Sequence, residues 1–343
     1  MNKLKTKIGN GISFRQILTE KIIYLVLIVL IVIVIAIEPK FLSLVNFKNI
    51  CAQSSTKIII ALAAGMVLIV RGCDLSTGRM IGLAAVISAS MMQEVTYAYR
   101  MYPNLQELPL IVPILIVVVL CAILGSLTGI AVALLKVPPI IATLAMQLIL
   151  YGASSIYFDR PPYGAQPIGG ISDQIINIAT GNIKIGKLQI PYLILIAAFI
   201  SFVIWVIWNK TKFGKYMFAV GGNPEAARVS GVNVELTQII VYASAAVLYA
   251  IASVLEVGRI GSASNTTGNG YEMDAIAACV IGGVSMSGGI GSVGGIVIGV
   301  LIFTVINYGL AFIGVNMYWQ YIAKGLIILL AVIIDMRKYA KRK

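Results

Sequence analysis

Long apolar stretches recur along the whole chain, and they constrain its fold more than any other feature. Ten of them can be counted, at residues 22–37, 58–70, 80–92, 110–135, 138–158, 190–208, 238–257, 274–286, 291–314 and 319–334. The mean hydropathy is +0.96 and 11% of the residues are charged, against about 25% in a typical soluble domain. Apolar surface on this scale must face lipid. The sequence therefore predicts an all-α polytopic membrane protein with about ten transmembrane helices.

Three of these apolar runs, beginning at Ile58, Met80 and Asp274, are only about 13 residues long. At ~1.5 Å per residue, each would cover roughly 20 Å of a hydrocarbon layer that is ~30 Å thick. Such segments must extend into their polar flanks, tilt or break. Short spans that contain glycine are common around transport pathways, where non-helical backbone can line a cavity.

The distribution of positive charge predicts the orientation. Ten spans that begin in the cytoplasm place 17 of the 26 lysines and arginines on the cytoplasmic side, and the other 9 are spread over outer loops and spans. This asymmetry satisfies the positive-inside rule. The sequence therefore predicts a cytoplasmic N-terminal segment at 1–21, a transmembrane domain at 22–335 and a basic cytoplasmic tail at 336–343. Within the domain we expect a cytoplasmic loop at about 209–237 and an outer loop at about 159–189.

Composition and motif context exclude several classes of chemistry. The chain has no histidine, which excludes imidazole-ligated metal sites and catalysis by Ser-His-Asp or Cys-His groups. Its net charge of +13 follows from basic residues beside the spans and does not indicate a nucleic-acid partner. Glycine motifs at 181–188 and 289–294 resemble phosphate-binding loops, but the first lacks the final hydroxyl residue and the second joins two apolar runs. We expect no catalytic residue, metal or nucleotide site on this chain.

The predicted cytoplasmic loop contains a short helix that its own residues specify. Asn223 is the expected N-cap, Pro224 the first helical residue, Glu225 an acidic residue of the first turn and Gly231 the stop. A helix of about two turns is marginal in water and needs something to pack on. It either rests on its own membrane domain or docks onto a cytoplasmic partner, and we favour docking.

Several motifs of the chain resemble those of a known transporter family. Glu225-Ala-Ala followed by Gly231 is similar to the E-A-A-x-x-x-G loop through which permease subunits of bacterial ATP-binding-cassette (ABC) importers contact their ATPases. Further stretches resemble the ribose/xylose/arabinose/galactose permease family, namely Asp74–Arg79, Lys136–Pro139, Gly221–Ala227, Tyr271–Gly283 and Tyr318–Gly325. The resemblance covers nearly the whole chain, and the stretches from Ile306 and from Asp335 look most like the members that carry galactose.

The resemblance implies an ABC importer permease fold in the bacterial cytoplasmic (inner) membrane, with both termini in the cytoplasm. The implied partners are a second copy of the chain in a homodimer, a cytoplasmic ATPase that uses ATP and Mg, and an extracytoplasmic binding protein that delivers galactose or a methyl galactoside. The chain itself would be a transport subunit without a cofactor or an enzymatic activity. The implied ATPase-coupling residues are Asn223, Pro224, Glu225, Ala226, Ala227 and Gly231.

A second cytoplasmic turn is the next candidate. Asp74 with Arg71 and Arg79 precedes the third predicted span, where Ser76 or Thr77 could cap the helix. These charges either cap the helix and pair with one another or make a second contact with the ATPase.

Charged residues near the outer ends of two spans could contact the sugar or the delivery protein. Glu256 and Arg259 are three residues apart and can pair on one face of a helix. Glu272 and Asp274 are predicted at the outer start of the eighth span, where the helix dipole favours carboxylates. They either serve that dipole or recognise a sugar hydroxyl or a basic patch on the binding protein.

An ion-coupled secondary sugar transporter is the main alternative function. Such a carrier is expected to hold carboxylates or histidine near the middle of the membrane, and none of the 13 acidic residues is predicted there. An intramembrane enzyme is a third possibility, but it would need clustered carboxylates or histidine for its chemistry. The sequence favours the ABC permease over both.

Overall fold

A computed structural model of the chain describes residues 29, 31–160, 164, 166–185 and 188–340. The predicted N-terminal segment at 1–21, half of the first predicted span at 22–37 and the last residues of the tail at 341–343 lie outside these residues. Residues 44–304 form one compact unit, and the described residues before 44 and after 304 form a second.

The described chain is mostly helical, as expected for a polytopic membrane protein. Its helices are α1 (Leu44–Ile69), α2 (Thr77–Met91), α3 (Ile111–Ala133), α4 (Pro139–Phe158), α5 (Asp173–Thr180), α6 (Tyr192–Lys210), α7 (Lys212–Gly222), α8 (Pro224–Val229), α9 (Val234–Ile260), α10 (Tyr271–Ile281), α11 (Val293–Phe312) and α12 (Met317–Ala340). Within the described ranges, six helices are long and apolar enough to cross a membrane, namely α1, α3, α4, α6, α9 and α11. Two shorter apolar helices are α2 and the part of α12 at Met317–Ile333.

The predicted outer loop contains regular structure that the all-α expectation missed. Besides α5, it holds an antiparallel hairpin of β1 (Asn182–Ile185) and β2 (Leu188–Pro191), in which Ile183 faces Ile190. Apolar and polar residues alternate in both segments, and this period of two favours strands over helices. The chain is mostly helical as predicted, and this short hairpin is a local exception.

The three short apolar runs have two different outcomes. The run at 58–70 is the second half of α1, which has 26 residues and extends through Lys57 back to Leu44. The other two runs form helices that are too short to cross a membrane, since α2 has 15 residues and α10 has 11. Each is preceded by a non-helical segment, at 70–76 and at 261–270 respectively. We call these two combinations of segment and helix the broken spans.

Helices α1 and α9 form the centre of the larger unit. In the most apolar 18 residues of each helix, the buried share is 83% in α1 and 61% in α9. The corresponding shares are 17% in α4, 22% in α6 and 28% in α3. Each central helix is followed by a broken span that packs beside the other central helix, α2 beside α9 and α10 beside α1. Apolar helices α3, α4 and α6 leave most of their surface uncovered by this chain, which suits contact with lipid or another subunit.

The two central helices run in opposite directions through the unit. Helix α1 ends where the backbone N–H of Gly289 donates to the carbonyl oxygen of Ile69 at 2.8 Å, beside the end of α7. Helix α9 begins at that same end of the unit, because Glu235 pairs with Arg228 of α8. At the opposite end, two short backbone pairings involve the loop at 168–171. Gln93, which follows α2, pairs with Ile171, and Ala263, which follows α9, pairs with Ile168.

The second unit is held together by apolar contacts. Val34 is fully buried and would touch a Cβ placed on Gly309, at 3.2 Å. The ring of Phe41 packs edge-on against that of Phe312, with centroids 5.5 Å apart.

The predicted orientation is tested by labelling two exposed loop positions. Asp173 begins α5 in the predicted outer loop, and Val229 ends α8 in the predicted cytoplasmic loop; both are exposed. In intact cells, a membrane-impermeant thiol reagent should label Asp173→Cys and should label Val229→Cys only after the membrane is permeabilised. Labelling of both from the same side would contradict the predicted topology.

Candidate coupling and translocation sites

The short helix α8 has the local structure that its sequence predicts. The Asn223 side chain accepts hydrogen bonds from the backbone N–H groups of Glu225 and Ala226, both at 3.1 Å. Pro224 is the first helical residue, and Gly231 just beyond the end has a φ of +82°, which side-chain-bearing residues rarely adopt. The predicted cap, start and stop are confirmed, and the six helical residues make slightly less than two turns.

Helix α8 packs on its own chain along one side and is exposed along the other. Ala227 is 4% exposed, whereas Val229 is 90% exposed and the Glu225 side chain is 80% exposed. Arg228 pairs with Glu225 at 3.2 Å and also with Glu235 at the start of α9. The helix is therefore supported in part by its own chain, and its docking onto a partner stays a prediction. The exposed side still offers an apolar and a charged group for contact with another protein.

Three backbone segments meet beside α8, and we call this meeting point the coupling junction. Its members are the end of α1 at 69–71, the end of α7 at 221–222 and the loop at 288–289. Arg71 has a φ of +64°, and its guanidinium donates to the carbonyl oxygens of Gly221, at 2.7 Å, and Gly222. The last carbonyl groups of a helix have no partner within it. Arg71 therefore caps α7 and fixes the point from which α8 departs.

Gly221 is the position of closest approach in the coupling junction. A Cβ atom there would overlap the carbonyl oxygen of Ile69 and would lie 2.6 Å from the backbone nitrogen of Gly289. At the neighbouring Gly222, a Cβ atom would meet nothing within 4 Å. The junction therefore has room for backbone alone at residue 221.

The structure separates the three charged residues that we assigned to one cytoplasmic turn. Arg71 lies in the coupling junction, beside α8. Asp74 is buried and accepts hydrogen bonds from the N–H and the hydroxyl of Ser76, at 2.9 and 2.6 Å. Arg79 faces the segment at 261–270. The predicted pairing among these charges is wrong, because the non-helical segment carries Arg79 away from the junction. A capping role for the Ser76 side chain is wrong as well, since it donates to Asp74 instead.

A mid-span cluster of polar side chains lies at the level of the middle of α1. Its members are Thr56 and Lys57 of α1, Glu256 and Arg259 of α9, and Tyr271 and Asp274 of α10. Glu256, which is 1% exposed, is its centre. This carboxylate accepts hydrogen bonds from Thr56 at 2.8 Å, from Tyr271 at 2.7 Å and from Arg259 at 2.6 and 3.0 Å. A buried carboxylate with a cation and two hydroxyl donors is well compensated, so it joins three helices stably.

Part of what the sequence predicts for these charged residues is confirmed. Glu256 and Arg259 pair across one helix turn, and Glu272 and Asp274 occupy the first turn of α10. That turn is not at an outer surface, however, because Asp274 lies 3.6 Å from Lys57 in the middle of α1. Glu256 lies four residues before the end of α9, near the end of its span as predicted, while Asp274 is level with the middle of α1. The sequence did not predict a role for Lys57, because the predicted apolar run begins only at residue 58, whereas the helix begins at Leu44.

The two broken spans touch inside the larger unit, at the points where each non-helical segment gives way to its helix. A Cβ atom on Gly268 would lie 2.5 Å from the carbonyl oxygen of Gly78, and one on Gly82 would lie 2.8 Å from that of Thr267. Glu272 is 9% exposed and faces Gly78 in the same contact. Non-helical backbone is tolerated at membrane depth only where it is buried in protein or lines a water-filled cavity.

Five polar or aromatic residues beside this contact form what we call the Arg79 facet. The Arg79 guanidinium donates to the carbonyl oxygen of Asn265 at 3.2 Å and to the side-chain oxygen of Asn269 at 3.0 Å. It also lies over the ring of Tyr151 in α4, 4.3 Å from the ring centroid. The Asn265 side chain donates to the Ser155 hydroxyl at 3.2 Å. The facet thus ties both broken spans to α4.

Among the residues that the structure describes, no three Cys, Asp or Glu side chains are grouped closely enough to hold a metal ion. All four cysteines are thiols; Cys121 and Cys279 are buried, while Cys51 and Cys73 are half-buried.

Comparison with known proteins identifies the family. The sequence profile described as the permease component of the branched-chain amino acid transport system matches residues 46–332. This range contains the coupling junction, α8, the mid-span cluster and the Arg79 facet. The chain belongs to this permease family.

The permease is also similar, over almost its whole length, to curated sugar import permeases. It is 51% identical to the galactose/methyl galactoside import permease protein MglC of Haemophilus influenzae over 328 residues, which are 96% of this chain and 97% of the relative. It is 50% identical to the protein of the same name from Escherichia coli over 334 residues, or 97% and 99% of the two chains. The ribose import permease protein RbsC of Escherichia coli is 36% identical over 322 residues, or 94% and 95%. The resemblance that the motifs indicate is confirmed, and no solved structure matches the chain.

Proposed function

We propose that this permease is the membrane-spanning subunit of an ATP-driven importer that carries galactose or a methyl galactoside across the bacterial inner membrane. The observation that supports this most directly is the identity of 50–51%, over 96–97% of the chain, with import permeases for these sugars. The identity with a ribose import permease is lower, at 36%. The substrate of the first group is therefore the better assignment.

The proposed importer contains three kinds of partner. Two copies of the permease would enclose the pathway, a cytoplasmic ATPase would bind ATP and Mg and supply energy, and an extracytoplasmic binding protein would deliver the sugar. The exposed side of α8 supports a protein partner at this end of the unit, because Val229 and Glu225 are among its most exposed side chains.

The coupling junction offers a route from the ATPase to the pathway. A displacement of α8 by the ATPase would move the end of α7, to which Arg71 is hydrogen-bonded. Arg71 lies just after α1, at the start of the first broken span, while the loop at 288–289 follows the second. In this proposal Arg71 is a positioning residue that connects α8 to both broken spans. Packed elements with two discrete arrangements transmit such displacements.

The carboxylates at mid-span do not require an ion-coupled mechanism. Glu256 already has Arg259 as its cationic partner, and Asp274 has Lys57. An ion-coupled carrier needs a carboxylate that exchanges its partner for a transported proton or sodium ion. These pairs instead hold α1, α9 and α10 together.

The proposed function predicts that transport depends on ATP hydrolysed by another subunit. In liposomes, the purified permease alone should neither hydrolyse ATP nor accumulate galactose under a sodium or proton gradient. Addition of the ATPase, Mg-ATP and the sugar-loaded binding protein should produce uphill uptake. An ATPase variant that binds but cannot hydrolyse ATP is the matched control and should give no uptake. Uphill uptake by the permease alone would show instead that it is a secondary transporter.

A further inference from the structure

We propose that the Arg79 facet is where the transported monosaccharide contacts the permease, with the Tyr151 ring, the Arg79 guanidinium and the Asn269 amide as its binding groups. This inference rests on the proposed function as a sugar permease. It assigns to Arg79 a role in the pathway in place of the contact with the ATPase that its sequence position suggests.

The facet lies at membrane depth. Tyr151 and Ser155 belong to α4, one of the helices long and apolar enough to span a membrane. Arg79 lies about 18 Å along α2 from the far end of that helix, at ~1.5 Å per residue. The rest of the exposed surface of α4 is apolar, with Leu148 next to the facet and Ile149 and Ile156 on another face.

The chain leaves much of the facet uncovered. The Tyr151 side chain is 41% exposed, and Asn269 is exposed as well. Arginine and asparagine are strongly disfavoured against lipid, and intramembrane polar residues almost always face a bundle interior or a water-filled cavity. The facet must therefore face water or a second protein surface. A pathway between two permease copies satisfies this requirement.

The chemistry of the facet suits a pyranose. One face of galactose presents C–H groups that pack on the negative face of an aromatic ring, and Tyr151 offers such a ring. The sugar hydroxyls are good acceptors for the planar guanidinium, and an amide both donates and accepts. Because the Arg79 donors already bond to Asn265 and Asn269, a sugar would exchange with these internal partners. Binding by exchange is weak, and weak binding suits a site that must release its ligand.

Water access at Tyr151 tests the position of the facet. The experiment uses the assembled transporter with the four native cysteines replaced and uptake retained. A thiol reacts as the thiolate, which forms in water and not in lipid. Tyr151→Cys should therefore react with a water-soluble thiosulfonate about tenfold faster than two matched controls on another face of α4, Ile149→Cys and Ile156→Cys, whose native side chains are 60% and 79% exposed. Equal rates at all three positions would overturn the proposal.

Transport by facet variants tests the chemistry. Tyr151→Phe keeps the ring and should lose clearly less galactose uptake than Tyr151→Ala, which should lose about tenfold. Arg79→Gln should also lose about tenfold in uptake, while the hydrolysis of ATP stimulated by the sugar-loaded binding protein should persist. A purely structural defect would lower uptake and hydrolysis together. Ile156→Ala is the control for an exposed change on the same helix.

The outcomes separate this inference from the proposed function. If the unchanged permease with its partners imports no galactose, the proposed function fails. If it imports galactose and Tyr151→Ala does so equally well, only the inference about the facet fails. If Tyr151→Cys is unreactive but joins two permease copies through a disulfide bond, the facet is a contact between copies, and the inference is again wrong.

Discussion

Replacing Gly221 by alanine should abolish sugar uptake, whereas the same replacement at Gly222 should leave uptake within about twofold of the unchanged permease. A Cβ atom at residue 221 would overlap the carbonyl oxygen of Ile69 and press on Gly289, and both of these neighbours are backbone. Backbone cannot rotate out of the way as a side chain can, so the three segments of the coupling junction must separate. At Gly222 the added methyl group meets nothing within 4 Å.

Uptake by the assembled transporter, measured beside the melting temperature of the purified permease, provides the test. Gly221→Ala should lower the melting temperature as well as abolish uptake, since the damage is to packing. Serine at the same position should behave like alanine, because its Cβ atom meets the same carbonyl oxygen. Normal uptake by Gly221→Ala would show that the close approach at this position is not needed for coupling.

Charge reversal at Glu225 or a side chain at Gly231 should also abolish uptake, and here the permease should remain inserted and folded. Glu225→Lys places a second positive charge three residues before Arg228 and near the positive end of the helix dipole. Gly231→Leu forces a branched side chain into a φ of +82°, a conformation that costs about 1–2 kcal/mol for residues with a Cβ atom. Both changes alter the shape or charge of α8 while leaving its buried contact at Ala227 in place.

Conservative changes at the same positions are the controls for these two variants. Gly231→Asn should retain uptake, because asparagine tolerates the left-handed conformation. Glu225→Gln retains an acceptor and removes the charge, so it separates hydrogen bonding from ion pairing. Uptake and co-purification of the ATPase are the two measurements. If Glu225→Lys and Gly231→Leu both show normal uptake and ATPase binding, coupling lies elsewhere, and Arg71 is then the first residue to examine.

Local features of this permease could be predicted from its sequence because they depend on neighbours in the chain. The cap at Asn223, the start at Pro224 and the stop at Gly231 are specified within nine residues. The pair of Glu256 and Arg259 depends only on helical spacing. Most of the predicted apolar runs are helical in the structure. A long apolar run in a membrane favours a helix, because a helix pairs its own backbone N–H and C=O groups.

Contacts between distant residues left no comparable signal. Glu256 meets Thr56 across 200 residues of sequence, and Arg79 meets Asn269 across 190. The spacing of Arg71, Asp74 and Arg79 predicts a compact turn, but tertiary contacts draw the two arginines toward different partners. Hydropathy also gave no indication that Lys57 lies inside a helix, because α1 continues through this charge to meet Asp274.

The contact between the two broken spans has a consequence for how the chain enters the membrane during synthesis. Arg79 is synthesised 190 residues before Asn269, which at ~5–20 residues per second is an interval of roughly 10–40 s. Throughout this interval α2, with 15 residues and an arginine near its start, lacks the contacts that Arg79 makes with Asn265 and Asn269. A segment of this kind is inserted poorly by itself. We therefore expect the first broken span to wait at the insertion machinery or against α3 and α4 until the second has been made, and a nascent chain that ends before α10 should expose it to proteolysis.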